Sequence, residues 1–137
     1  MPSPVTQIPA ADPTSALAHF EACLAFETDC ADVHAALARE TDFVLIDVRS
    51  PELYARGHVA GAINIPHAKI NAARLADYPR GTLFVVYCAG PHCNGAHRGA
   101  VRVSGLGLPV KIMIGGMSGW VSEGFFVERG ALAATSA

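Results

Sequence analysis

Three runs of consecutive apolar and β-branched residues recur along the chain: Phe43 to Val48 (FVLIDV), Thr82 to Tyr87 (TLFVVY) and Pro109 to Ile114 (PVKIMI). A strand that is apolar at nearly every position has both faces covered, which happens when helices pack on the two sides of a parallel sheet. Helix-like stretches lie between the runs, so the pattern predicts an α/β domain: a central, mostly parallel sheet of about five strands with helices on both faces. Two shorter candidates complete the sheet. LAFET (Leu24 to Thr28) reads as a short apolar strand, and AINIP (Ala62 to Pro66) as an edge strand closed by proline. Ser15 to Cys23 is an amphipathic segment, and Asp29 can cap a helix bearing Val33, Ala36 and Leu37. Pro51 opens a short helix that Gly57 ends. HAKINAARLADYP (His67 to Pro79) is helical in period with Ile70, Ala73 and Leu75 on one side, and GGMSGWVSEGF gives a turn and a short helix.

A chain of 137 residues can bury one sizeable core, so a single domain over residues 14–129 is expected. Pro2, Pro4, Pro9 and Pro13 predict an extended N-terminal arm over 1–13, and the small residues of 130–137 a disordered tail. Hydrophobic residues at 51% against 16% charged exclude disorder for the bulk of the chain. A net charge of −2 supplies no basic field, which argues against nucleic acid as a partner. The amino terminus lacks the basic and apolar regions of a secretory signal, and no run approaches the ~20 apolar residues that cross a bilayer. No membrane partner and a cytoplasmic location are therefore expected. Four cysteines are too few for a disulfide scaffold, and reduced thiols are expected.

One of them, Cys88, directly follows the second apolar run, and the loop AGPHCNGAHR runs on into a helical stretch. In open α/β sheets ligand sites form beyond the carboxyl ends of the strands. There a thiol meets loop amides and the positive end of a helix dipole, both of which favour a thiolate. The plain alternative is a small buried hydrophobe at a strand end. The amides of Ala89 to Gly95, Pro91 excepted, can encircle a sulfur, with Gly90 and Gly95 permitting the tight path. His92, His97 and Arg98 are nearby donors or cations, and Asn94 lies in the same loop.

The ordered set DVRSPELYARGHVAGAINIP, VVYC with its glycine-bearing loop, and GGMSGW resembles the rhodanese-like (sulfurtransferase) domain family over about Phe43 to Phe126. The resemblance implies that Cys88 is the nucleophile. It would take a sulfane sulfur from thiosulfate or a persulfide donor and pass it to a thiol or cyanide, with Ala89, Gly90, His92, Asn94, Gly95, His97, Arg98 and Arg49 around the substrate. The loop is about two residues longer than usual and holds a second cysteine, giving C-x4-C. Cys93, followed by NGAHR with an arginine five positions on, is the alternative nucleophile, or both thiols act together with Cys93 resolving Cys88. A non-catalytic sulfur- or redox-sensing, persulfide-carrier module is the alternative function.

In the family the Asp47 and Arg49 pair orders the strand-to-helix turn. His58 is expected to fix its own turn by hydrogen bonding, and Trp120 to pack the closing helix on the sheet. Phosphatase chemistry needs an arginine six residues after the cysteine, but Asn94 and Gly99 stand there. Cys88, His92, Cys93 and His97 are too crowded for a closed zinc site, so no metal is expected, and persulfide chemistry requires no cofactor. Cys23, Cys30, His19, His34 and His67 carry no constellation, and the oligomeric state is read as monomer or homodimer.

Overall fold

The computed structural model describes residues 1–39 and 41–130. Five strands form one parallel sheet: β1 (Glu27–Asp29), β2 (Phe43–Asp47), β4 (Ile63–Asn64), β5 (Leu83–Tyr87) and β6 (Val110–Ile114), in the order β1-β6-β5-β2-β4. A separate antiparallel pair joins β3 (His58–Val59) to β7 (Val127–Glu128). The helices are α1 (Pro13–Phe26), α2 (Cys30–Leu37), α3 (Pro51–Arg56), α4 (Ala72–Leu75), α5 (Gly95–Gly105) and α6 (Gly116–Ser122), with a 3-10 turn at His67–Lys69.

The alternation of side chains along the strands sorts the core into two halves. Leu45, Val85, Tyr87 and Met113 face one way, onto Val33 of α2, Tyr54 of α3 and Trp120 of α6. Ile46, Phe84, Val86 and Cys88 face the other way, onto Ile70, Leu75 of α4, and Ala96 and Val103 of α5. Helices thus cover both faces, as the apolar runs require. Short side chains start the helices: Asp29 accepts from the Asp32 amide at 2.8 Å, and Ser50 from that of Leu53 at 3.3 Å, with Pro51 behind it. Trp120 is buried and its Nε1 donates to Phe126 O at 2.9 Å, fixing α6 as expected.

Three local expectations change. Leu24 to Phe26 continue α1 instead of opening a strand, and β1 is Glu27–Asp29. Leu and Ala are strong helix formers, and with Leu24 and Phe26 largely exposed there is no burial to favour a strand. From His67 to Pro79 a continuous helix is replaced by the 3-10 turn and the single turn of α4. Asn71 interrupts it by capping α4, its Oδ1 accepting from the Arg74 amide at 2.9 Å. Helix α5 begins at Gly95, so His97 and Arg98 lie on the helix and not in the loop.

Residues 1–12 are exposed, with a turn in which the Thr6 and Gln7 amides donate to Ser3 O. Pro13 already belongs to α1, capped by Asp12. Gly130 donates to Ala55 O at 2.8 Å, and the rest of the expected tail lies outside the described residues. No helix among the described residues is long and apolar enough to cross a membrane.

Candidate active site

The site lies where the carboxyl ends of β2, β4 and β5 meet. β5 delivers Cys88, which is 6% exposed and continues the buried row of Phe84 and Val86. The chain then turns back, the Cys93 amide donating to Gly90 O at 3.2 Å. That turn brings the Cys93 Sγ to 2.6 Å from the Cys88 Sγ, and both thiols are free. Gly95 packs against the pair so closely that a Cβ there would lie 2.6 Å from the Cys88 Sγ and 3.3 Å from that of Cys93.

The loop is held from behind by α6. The Met117 amide donates to Cys88 O at 2.9 Å and the Ser118 amide to Ala89 O at 2.8 Å. This approach requires glycine at Gly116, which has φ +57°, and a Cβ there would lie 2.5 Å from Cys88 O. The GGMSGW motif therefore acts as a backbone clamp on the cysteine loop.

The two sulfurs do not ionise alike. Burial is the main influence on Cys88, the contact with Cys93 adds to it, and the Ala89 and Gly95 amides only partly offset them, so this thiol is pushed up to about 11. Cys93 falls below its ordinary value because the Cys88 S–H and then the Gly95 amide, at 3.3 Å, stabilise its anion. Sequence reasoning expects the lowered thiol at Cys88. The structure moves it to Cys93, because the deeper sulfur loses more hydration than the amides return. Cys88→Ala removes the donor to Cys93, so the midpoint of Cys93 alkylation by iodoacetamide, mapped by mass across pH, should move upward. A midpoint that stays or falls would show that Cys88 does not stabilise that anion.

Both sulfurs border a cavity of about 380 Å³ that Arg49, Leu53, Pro66, His67, Asn94 and Gly95 also line. A second cavity, also about 380 Å³, touches the same sulfurs from the side of Gly90, Pro91, His97 and Gly115. Arg49 is held by Asp47, its Nη2 donating to Oδ2 at 2.6 Å and its Nε to Oδ1 at 3.0 Å, and Nη2 also reaches Gly57 O at 2.7 Å. Burial opposes the Arg49 charge, but the bound carboxylate outweighs it and raises its affinity for the proton. Asn64 Nδ2 bridges Asp47 O and Arg49 O, tying β4 to the same turn.

Of the residues expected around the substrate, Ala89, Asn94, Gly95 and Arg49 line the first cavity with the thiols, and Gly90 and His97 line the second. His92 is exposed and borders neither. Arg98 is one turn into α5, its Nε donating to Asn94 Oδ1 at 3.1 Å. His58 is buried away from the sulfurs, stacked on Tyr54 with Nδ1 2.8 Å from Tyr54 O and Nε2 3.4 Å from Glu128. Cys30 is a core thiol, raised mainly by burial, and Cys23 faces His19 on α1. Among the described residues, no three His, Cys, Asp or Glu side chains converge on a metal-sized site.

Sequence reasoning missed His67. It stands at the carboxyl end of the β4 segment, its amide donating to Val48 O at 3.1 Å, and so lines the cavity opposite the thiols. Pairing AINIP beside FVLID would have indicated this position.

The chain is similar to several known proteins. Over 91 residues the chain is 42% identical to the HTH-type transcriptional regulator Rv0324 of Mycobacterium tuberculosis, a match that spans 66% of this chain but only 39% of that protein. Over 81 residues it is 35% identical to the thiosulfate sulfurtransferase GlpE of Pseudomonas entomophila, spanning 58% of this chain and 71% of that one. Among solved structures, the BH2092 protein of Bacillus halodurans superposes with a TM-score of 0.83 at 36% identity over 90% of both chains. A thiosulfate sulfurtransferase from Pseudomonas aeruginosa superposes at 0.65 with 28% identity, over 77% of this chain and 20% of that one. The profile described as "Rhodanese-like domain" matches residues 30–123, from the start of α2 to just past α6 and across the whole cysteine loop. With β2, β4, β5 and β6, the loop after the central strand and the α6 clamp all inside that match, the chain belongs to the rhodanese-like domain family.

Proposed function

We propose that the domain is a sulfurtransferase carrying a sulfane sulfur as a persulfide on Cys88, from thiosulfate or a persulfide donor to a thiol or cyanide acceptor. The observation that carries this reading is a thiol at the end of the central strand, facing a cavity, with a second, more acidic thiol in contact. Kinship with a protein named thiosulfate sulfurtransferase supports it. As Cys88 attacks the outer sulfur of thiosulfate, its proton passes to Cys93 across the sulfur contact. The S–S bond of the donor breaks and sulfite leaves with the electron pair. The Gly95 amide faces the charge that remains. An acceptor then attacks the outer sulfur of the persulfide and restores the Cys88 thiolate.

Thiocyanate formation from thiosulfate and cyanide is the test. The wild-type chain should turn over many times and Cys88→Ala not at all. Unchanged turnover in Cys88→Ala would sink the choice of nucleophile.

A second reading is a sulfur- or redox-sensing module, favoured by the 42% identity to part of a protein named as a transcriptional regulator. Under that reading the domain would load sulfur once per chain and not turn over with cyanide.

A further inference from the structure

We propose that the domain also discharges its own persulfide as sulfide: Cys93 attacks the inner sulfur of the Cys88 persulfide, closing a Cys88–Cys93 disulfide and expelling hydrosulfide. The step rests on the sulfurtransferase reading, since it begins from the persulfide of Cys88.

A persulfide has two electrophilic sulfurs, and their accessibility differs here. An external acceptor must come through the cavity and meets the outer sulfur first. Cys93 instead already touches Cys88 Sγ, at 2.6 Å, and that atom becomes the inner sulfur. The Cys93 position is fixed from both sides, its own amide bound to Gly90 O and its sulfur receiving the Gly95 amide at 3.3 Å. Two cavities of about 380 Å³ each are lined in part by Cys88 and Cys93 and offer space for the outer sulfur. Well-oriented intramolecular groups reach effective concentrations of about 10⁵ M or more, and even a flexible tether supplies about millimolar. A free thiol at cellular concentration competes poorly with the first of these. The Gly95 amide, which donates to the Cys93 sulfur at 3.3 Å, remains in place to receive its negative charge once Cys88 carries the persulfide.

Atoms and electrons balance without an external oxidant. The Cys88 persulfide anion and the Cys93 thiol become a disulfide and hydrosulfide. The bond between the two cysteine sulfurs forms as the bond from Cys88 Sγ to the outer sulfur breaks. The outer sulfur keeps the electron pair and takes the proton that Cys93 gives up. The sulfane sulfur is thereby reduced to sulfide while the two cysteine sulfurs are oxidised. A dithiol reductant then reopens the disulfide by exchange.

The experiment is an anaerobic incubation of the reduced chain with thiosulfate and no acceptor, followed by intact mass, peptide mapping and sulfide determination, on wild type and Cys93→Ala. Wild type should release one equivalent of sulfide and end two hydrogens lighter than the reduced chain, with Cys88 joined to Cys93. Cys93→Ala should instead gain one sulfur atom on Cys88, more slowly because its proton acceptor is gone, and release no sulfide until dithiothreitol is added. A wild-type chain that keeps the extra sulfur on Cys88 and releases no sulfide overturns the discharge step and leaves the sulfurtransferase reading standing, whereas one that keeps it on Cys93 overturns both the step and the choice of Cys88 as nucleophile. If neither protein gains sulfur nor yields sulfide, that reading falls and this step with it.

Discussion

Asp47→Ala is expected to destabilise the domain by about 3–5 kcal/mol, the range found when one partner of a buried ion pair is removed. Asp47 is fully buried and Arg49 nearly so. Three Arg49 nitrogens, including its backbone amide at 3.0 Å, donate to the one carboxylate. Without it, a guanidinium remains inside the fold with only Gly57 O as partner. For a domain whose total stability is about 5–15 kcal/mol, that is a large share. Urea unfolding checks it: the midpoint should fall with little change in slope. A double replacement by apolar residues of similar volume should recover much of the loss, because no charge is then stranded. A loss below about 1 kcal/mol would mean that the pair behaves as an exposed one.

Gly95→Ala should separate chemistry from stability. The substitution falls at the first residue of α5, where alanine favours the helix, and the overlap it creates falls on the tip of the Cys88 side chain, not on backbone. Stability should change little. The added methyl nevertheless occupies the space of the reacting sulfur, and a displacement of about 1 Å at a reacting atom can lower a rate about 100-fold. Thiocyanate formation should fall by that order while the urea midpoint stays close to wild type. An unimpaired rate would show that Cys88 moves aside without leaving the productive position.

The layered sheet was legible because each of its central strands is apolar on both faces, a pattern that few other architectures need. The edges were less so. β1 contains Glu27, Thr28 and Asp29, and nothing in that composition marks a strand; it forms because β6 offers it backbone partners. In the site, Cys88, Cys93, Gly95 and the Asp47–Arg49 pair could be named from sequence, since strand ends and motif spacing locate them. The contact between the two sulfurs was only one of the alternatives that the sequence left open, because it depends on a loop turning back on itself. The ionisation order followed from that contact and from unequal burial. His67 was missed because its place depends on which strand neighbours β2, a fact of topology that local patterning does not carry.

The clamp that α6 places on the cysteine loop ties the difference between its two thiols to the native fold. Cys88 and Ala89 are joined to Met117 and Ser118 by bonds between residues almost thirty positions apart. β6, laid down between them, is paired with β5 in the same structure. The loop that brings the two sulfurs together is therefore held by contacts that are distant in sequence. An unfolded copy carries four exposed thiols of ordinary acidity, so the division between a deep, weakly acidic Cys88 and a more acidic Cys93 belongs to the native state alone.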